Sequence, residues 1–175
     1  KIDYFTVIWT GPRGAWSSFW WAYETAFTDL SYTIDGKRFG AYSWQDEFQP
    51  PYTVFSPRTL IHETGHALGL PDYYDYDDAI GPKGGVGGMD MMDGNYGDHN
   101  CFSKFLLDWL NPTNYVTGTH AVALYPSHAS KDCAKVMPGG ISGNQFEEFF
   151  LIQNRGRSDN DLQFPAENLV IWHVD

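Results

Sequence analysis

The chain has 175 residues, 42% hydrophobic and 17% aromatic, which is enough for one ordinary core and too little for two independent catalytic domains. Its 22 acidic residues face 11 basic ones, a formal charge of −11, so it lacks the basic footprint that neutralises phosphates; nucleic acid and anionic membranes make poor partners. No run approaches the roughly 18 apolar residues of a membrane span, so no membrane insertion is expected.

In chain order, residues 3–9 carry the aromatic and β-branched alternation of a buried strand ending at Gly11-Pro12. Segment 16–28 is aromatic and reads as a helix or a covering loop. Ser31–Ile34 and Arg38–Trp44 flank Asp35-Gly36, a dipeptide that accepts positive φ, and predict a β-hairpin. A helix is expected after Pro50-Pro51, with Ser56 as cap, Pro57 at the first helical position and Gly69 as terminator. At 100° per residue, Leu60, Ile61, Thr64, Ala67 and Leu68 share one arc, predicted to be the buried face, and His62 and His66 lie opposite. Residues 71–97 are rich in Asp and Gly, hold three of the four Met and lack apolar periodicity, as a structured functional loop would. A short helix over 102–110, stopped by Asn111-Pro112, precedes strands at Ala121–Tyr125, Glu148–Gln153 and Leu169–Val174. The expected class is α+β in a single domain over 1–175, with an upper part over about 1–70 and a lower part over about 71–175.

His62-Glu63-Thr64-Gly65-His66 is an H-E-x-x-H run on that helix. Two His at i and i+4 stack about 6 Å apart along the axis, close enough for two ring nitrogens to converge on one Zn²⁺. Glu63 stands about 100° round the helix, beside the metal, where it can deprotonate a water without consuming a ligand position. A catalytic zinc needs a third protein ligand. Gly69 and Pro71 turn the chain back and bring Asp72 to that position, with Glu147 and Glu148 as distant competitors. Chance would produce H-E-x-x-H in a chain of this composition roughly 0.007 times.

The block His62–Asp75, with Gly69 and Asp72 at the later positions, resembles the H-E-x-x-H-x-x-G-x-x-D signature of the immune inhibitor A-like metallopeptidases, peptidase family M6. Gly88–Gly97 is similar to that family's Asp-x-Met segment, although Met89 stands where an aromatic residue, often Trp, is usual. Phe102-Ser103-Lys104 with Trp109–Pro112 resembles its following helix, and Phe150–Arg155 and Leu169–Asp175 its paired C-terminal strands. The resemblance implies a secreted zinc endopeptidase acting on protein or peptide substrates. It also implies a metzincin-like domain with a mixed sheet, a zinc-binding active-site helix and a Met-turn beneath the metal. Met92 takes the Met-turn role by position, with Met91 as the register alternative, and Tyr96 is a candidate catalytic donor to the oxyanion. A longer precursor is implied as well, whose other segments are candidate partners.

His99 is a weaker oxyanion candidate and reads more readily as a surface loop residue; His173, in an apolar strand, reads as structural. Asp75, Asp77, Asp78, Asp90 and Asp93 crowd the loops beside the helix, where Ca²⁺ or simple solvation would relieve their repulsion. Trp16, Trp20 and Trp21 are assigned no site. Cys101 and Cys133 permit one disulfide or two buried thiols. Scarce Lys and Arg with abundant Tyr, Trp, Gly and Asp lean towards secretion. The competing functional class is a metal-containing binding or structural module of a larger extracellular assembly, against which Glu63 argues because a module without turnover has no need of a general base.

Overall fold

A computed structural model describes residues 4–12, 14–15, 19, 21–47, 55–77, 79–80, 85–138, 140 and 148–175. The architecture is mixed α+β, with two- to four-stranded sheets and few helices. The first alternating run forms β1 (Phe5–Trp9), as its β-branched and aromatic residues predict. The aromatic segment 16–28 is neither helix nor covering loop where it is described: Tyr23–Ala26 is an extended strand, β2. The hairpin at Asp35-Gly36 is real but short. Thr33–Ile34 (β3) pairs with Lys37–Arg38 (β4) around a turn whose two central residues both have positive φ, 50° and 70°.

The predicted second arm of that hairpin goes elsewhere. Ala41–Asp46 (β5) is the central strand of a separate sheet, parallel to β1 and antiparallel to β2, in the order β1-β5-β2. Ser43 to Asp46 are all buried, which only a strand flanked on both sides and covered on both faces achieves. This sheet supports α1 (Pro57–Ala67), which packs on β5 and β2.

Two short helices follow, α2 (Met91–Gly94) and α3 (Cys101–Leu106). Helix α3 stops four residues earlier than the sequence predicts, because Asp108 adopts φ 58° and breaks the helical path before Asn111-Pro112 is reached. A second sheet of order β6-β7-β8-β9 contains Thr113–Tyr115, Ala134–Val136, Phe149–Arg155 and Asn168–Val174. Strands β8 and β9 match their predicted runs. The run Ala121–Tyr125 is not a strand; it is mostly exposed, and only Pro126 beyond it makes an isolated bridge, to Asn154. Strands β6 and β7 are three residues each, too short to leave a periodic signal.

Strict alternation along β8 puts Phe149, Leu151, Gln153 and Arg155 inward. The core of this half consists of Cys101, Leu110, Cys133, Met137, Phe149, Leu151 and Trp172. Gln153 ties it together: its Oε1 accepts from the Cys101 backbone N–H at 2.7 Å and from Trp172 Nε1 at 2.9 Å. Arg155 is 0% exposed and grips Asp161 in two-point fashion, Nε to Oδ2 at 2.7 Å and Nη2 to Oδ1 at 2.5 Å. Asp161 Oδ1 also accepts from the Asp98 backbone N–H, so the pair clamps the loop leading into α3. Cys101 and Cys133 are free, buried and in side-chain contact with each other. Among the described residues no helix is long and apolar enough to cross a membrane.

Replacing Asp161 by Ala strands a buried guanidinium, at an expected cost of about 3–5 kcal/mol. A urea midpoint that falls by the equivalent of less than about 1 kcal/mol would show the clamp to be dispensable. The two thiols are expected to resist a thiol reagent in the folded protein and to titrate together once it unfolds; an intact mass two protons short would reveal a disulfide instead.

Candidate metal centre

Helix α1 begins as the sequence predicts at Pro57, with Ser56 extended at the cap position, φ −106° and ψ 121°. The Ser56 hydroxyl makes no cap hydrogen bond, so the fixed φ of Pro57, whose missing N–H needs no partner, starts the helix. The C-terminus is a Schellman turn. Leu70 N–H reaches Gly65 O at 3.0 Å and Gly69 N–H reaches His66 O at 2.8 Å, with Gly69 at φ 98°.

The buried face of α1 is not the predicted one. Thr59, His62, Glu63 and Gly65 are buried, while Ile61 is 38% and Leu68 49% exposed. The polar side packs inward because its groups find fixed partners there. His62 Nδ1 lies 2.7 Å from Met91 O and His66 Nδ1 lies 2.9 Å from Leu70 O. A carbonyl can only accept, so each Nδ1 carries the ring proton and each Nε2 of the neutral ring presents a lone pair. The two Nε2 atoms are 3.1 Å apart, and Asp72 Oδ1 is 2.9 Å from the first and 3.2 Å from the second.

Asp72 Oδ1 is buried and accepts no hydrogen bond. Three atoms that can each offer a lone pair thus face one another at 2.9–3.2 Å. Such an arrangement is stable with a cation, a proton or a metal ion, among them. Two imidazoles and a carboxylate are the donor set that zinc accepts, and among the described residues this is the one group of its kind. Burial pushes the Asp72 carboxyl up, but hydrogen bonds from Tyr76 and Tyr74 and the two imidazoles outweigh it and hold it below the ordinary carboxylate value.

Glu63 stands beside this triangle, buried within α1. Burial, the largest influence, raises its carboxyl above the ordinary value against the pull of His62, His66 and the Glu24 backbone N–H. These side chains open onto a cleft of about 470 Å³. Its walls are Trp21–Glu24 on the approach to and start of β2, Asp72 and Tyr74 after the helix, and Asp93–Asn95 at the end of α2. Trp21, assigned no site from sequence, is 68% exposed on this cleft; Trp16 and Trp20 lie outside the described residues.

The segment after Gly88 forms the floor. Asp90 caps α2, its Oδ1 accepting from Met92 N–H at 2.7 Å and its Oδ2 from Asn100 N–H at 2.6 Å. Met92 is fully buried under α1, where a Cβ on Gly65 would run into its sulfur. Met91 contributes its carbonyl to His62, so the two register alternatives divide the work. His99 is buried rather than on the surface, with Cε1 3.4 Å from the same Cβ position and its ring against Trp109. Tyr96 does not line the cleft; its neighbour Asn95, at φ 52°, does.

The other acids of this region are occupied by their own loops. Asp75 Oδ1 accepts from Asp77 N–H, Asp77 Oδ1 from Ala79 N–H, and Asp93 Oδ2 from Val86 and Gly88 N–H, while Asp78 lies outside the described residues. Glu148, the competing third ligand, is exposed and pairs with His173 on the second sheet, and Glu147 lies outside the described residues. His173 is itself exposed and stacks on Phe150, so its role is that of a surface strand residue. Sequence reasoning missed the carbonyls of Leu70 and Met91 and the phenols of Tyr74 and Tyr76, none of which carries a positional signature.

Comparison with models of known families, with curated proteins and with solved structures finds no match to this chain.

Burial pushes the Asp90 carboxyl up to about 6, against its backbone hydrogen bonds and the Arg155 charge. A carboxyl raised in the folded state contributes stability that is complete below its ordinary value of 3.8 and is lost as pH rises through about 6. The stability of the wild type relative to Asp90→Asn is therefore expected to fall by about 2 kcal/mol between pH 4 and pH 7. A difference that stays constant over this window in urea titrations would contradict the assignment.

Proposed function

We propose that this protein is a secreted zinc-dependent endopeptidase of the immune inhibitor A-like, metzincin-like kind, with His62, His66 and Asp72 holding the metal and Glu63 as general base. The observation that carries the reading is the triangle of Nε2, Nε2 and Oδ1 atoms at 2.9–3.2 Å, with each Nδ1 turned outward to a backbone carbonyl. Zinc held there would supply Lewis acidity, polarising a scissile carbonyl and making a water acidic at neutral pH.

The chain's own groups do the rest. Glu63 takes a proton from the attacking water and returns it to the departing amine; a carboxyl raised by burial is closer in proton affinity to that task than an ordinary one. Glu24, at the start of β2, lies beside this carboxyl and lines the same cleft. Among the described residues strand β2 lies at the edge of its sheet beside β5, and the residues around it line the cleft. An extended peptide lying along it would find backbone partners beside Glu63, which supports a protein or peptide substrate over a small molecule. Asn95, rather than Tyr96, is the side chain of that loop on the cleft wall and the better-placed polar contact for substrate. Glu63 also favours turnover over a metal-holding module, because its burial beside the metal triad costs stability that a purely structural site has no reason to bear.

Hydrolysis of a casein-type substrate is expected, lost on chelation and restored by Zn²⁺. Glu63→Gln should retain one zinc per chain and lose at least about 100-fold in kcat, the low end of a general-base contribution. Comparable kcat in that variant removes Glu63 as the base; absence of any transition metal from the purified wild type overturns the function.

A further inference from the structure

The Asp72 carboxylate is held at both of its oxygens. Oδ1 faces the two imidazole nitrogens, and Oδ2 accepts a hydrogen bond from the Tyr76 hydroxyl. The Tyr74 hydroxyl is in hydrogen-bonding contact with the same carboxylate and with Tyr76, and the two rings lie 4.8 Å apart at 55°. Neither ring owes its position to the core, since Tyr76 is 76% and Tyr74 39% exposed. An exposed phenol folded back on one carboxylate oxygen with a second exposed phenol packed beside it, while the other oxygen faces the imidazoles, is an asymmetry that solvation alone does not produce.

We propose that Tyr76, backed by Tyr74, is a positioning residue for the metal: by occupying Oδ2 its hydroxyl restricts Asp72 to a single-oxygen ligand through Oδ1. The inference rests on the metal reading above and adds to it the control of coordination number. A carboxylate on a glycine-hinged loop is free to swing both oxygens onto a divalent ion, which would fill the position a reactant needs. A donor on the outer oxygen prevents this and fixes the carboxylate's orientation. Phenols suit the role better than Lys or Arg would, because they donate a hydrogen bond without placing a second positive charge beside the metal. An exposed hydrogen bond with no such role would contribute about 1 kcal/mol to folding and leave metal binding untouched.

The test uses the full chain as wild type, Tyr76→Phe, Tyr74→Phe, the double variant and Asp72→Ala. Zn²⁺ affinity is measured by competition with a chromophoric chelator, and the visible spectrum is recorded after loading with Co²⁺. The double variant is expected to bind zinc 10–100-fold more weakly, with weaker Co²⁺ absorption bands because a higher coordination number makes them less allowed. The melting temperature of the metal-free protein should not move. Zinc affinity within twofold of wild type in Tyr76→Phe and in the double variant, with an unchanged Co²⁺ spectrum, overturns the proposal while leaving the metal reading intact. A wild type that binds no zinc, or binds it as tightly after Asp72→Ala, overturns both.

Discussion

Two backbone carbonyls set the geometry of the candidate metal site. Met91 O and Leu70 O each take the Nδ1 proton of one imidazole, so both Nε2 lone pairs turn to the same point. Everything around the site serves to put those carbonyls in place. Leu70 O is where it is because the Schellman turn at Gly69 reverses the chain immediately after α1, and the same reversal delivers Asp72. Met91 O is where it is because Asp90 caps α2 and also holds Asn100 N–H, locking the α2 and α3 starts to one buried carboxylate. A further hydrogen bond, from Tyr73 N–H to Met92 O at 2.8 Å, joins the loop after α1 to the floor beneath it. The histidines are thus oriented by two segments that follow them in sequence, the turn after α1 and the start of α2, and neither segment can shift without rotating a ring.

This constraint also explains why α1 presents its polar face to the protein. A buried imidazole is tolerable when its N–H has a carbonyl and its lone pair has a task. Gly65 is the residue that lets the face approach its floor, since any side chain there meets Met92. The second sheet supplies rigidity from below: Arg155 and Asp161 clamp the Asp98 loop, and Gln153 fixes the first residue of α3 to Trp172. Stiffness in the α2–α3 segment therefore comes from polar groups anchored in an apolar core, while the site itself remains on a cleft.

What the sequence revealed follows from how local each feature is. The convergence of His62 and His66 was legible because helix geometry turns a spacing of four into proximity, and because Pro57 and Gly69 mark the ends of that helix in the sequence itself. The Asp35-Gly36 turn and the strands β8 and β9 were legible for the same reason. The buried face of α1 was misread because amphipathic pattern assumes that apolar residues face inward, and here backbone carbonyls from distant segments reward the opposite orientation. Strand β5 was misassigned because pairing is a tertiary choice: Ala41–Asp46 has the signal of a hairpin arm, but β1 and β2 compete for it and take it. Strands β6 and β7 and the phenols on Asp72 depend on partners far from any local pattern.

The acidic composition resolves along the same line. Sixteen of the 22 acids are Asp, and Asp29, Asp75, Asp77, Asp90, Asp93, Asp98, Asp132 and Asp161 each accept a backbone N–H. They are the wiring of a loop-rich fold, doing what a short carboxylate does best in turns and caps. Asp72 differs from all of these in that one oxygen is buried with no N–H to meet it. A carboxylate already saturated by backbone donors has little to offer a metal, whereas one that is desolvated, oriented and unsatisfied has paid its desolvation cost for some other partner. The count of acids could not single out Asp72 among sixteen Asp; the convergence of its Oδ1 with two imidazole nitrogens does.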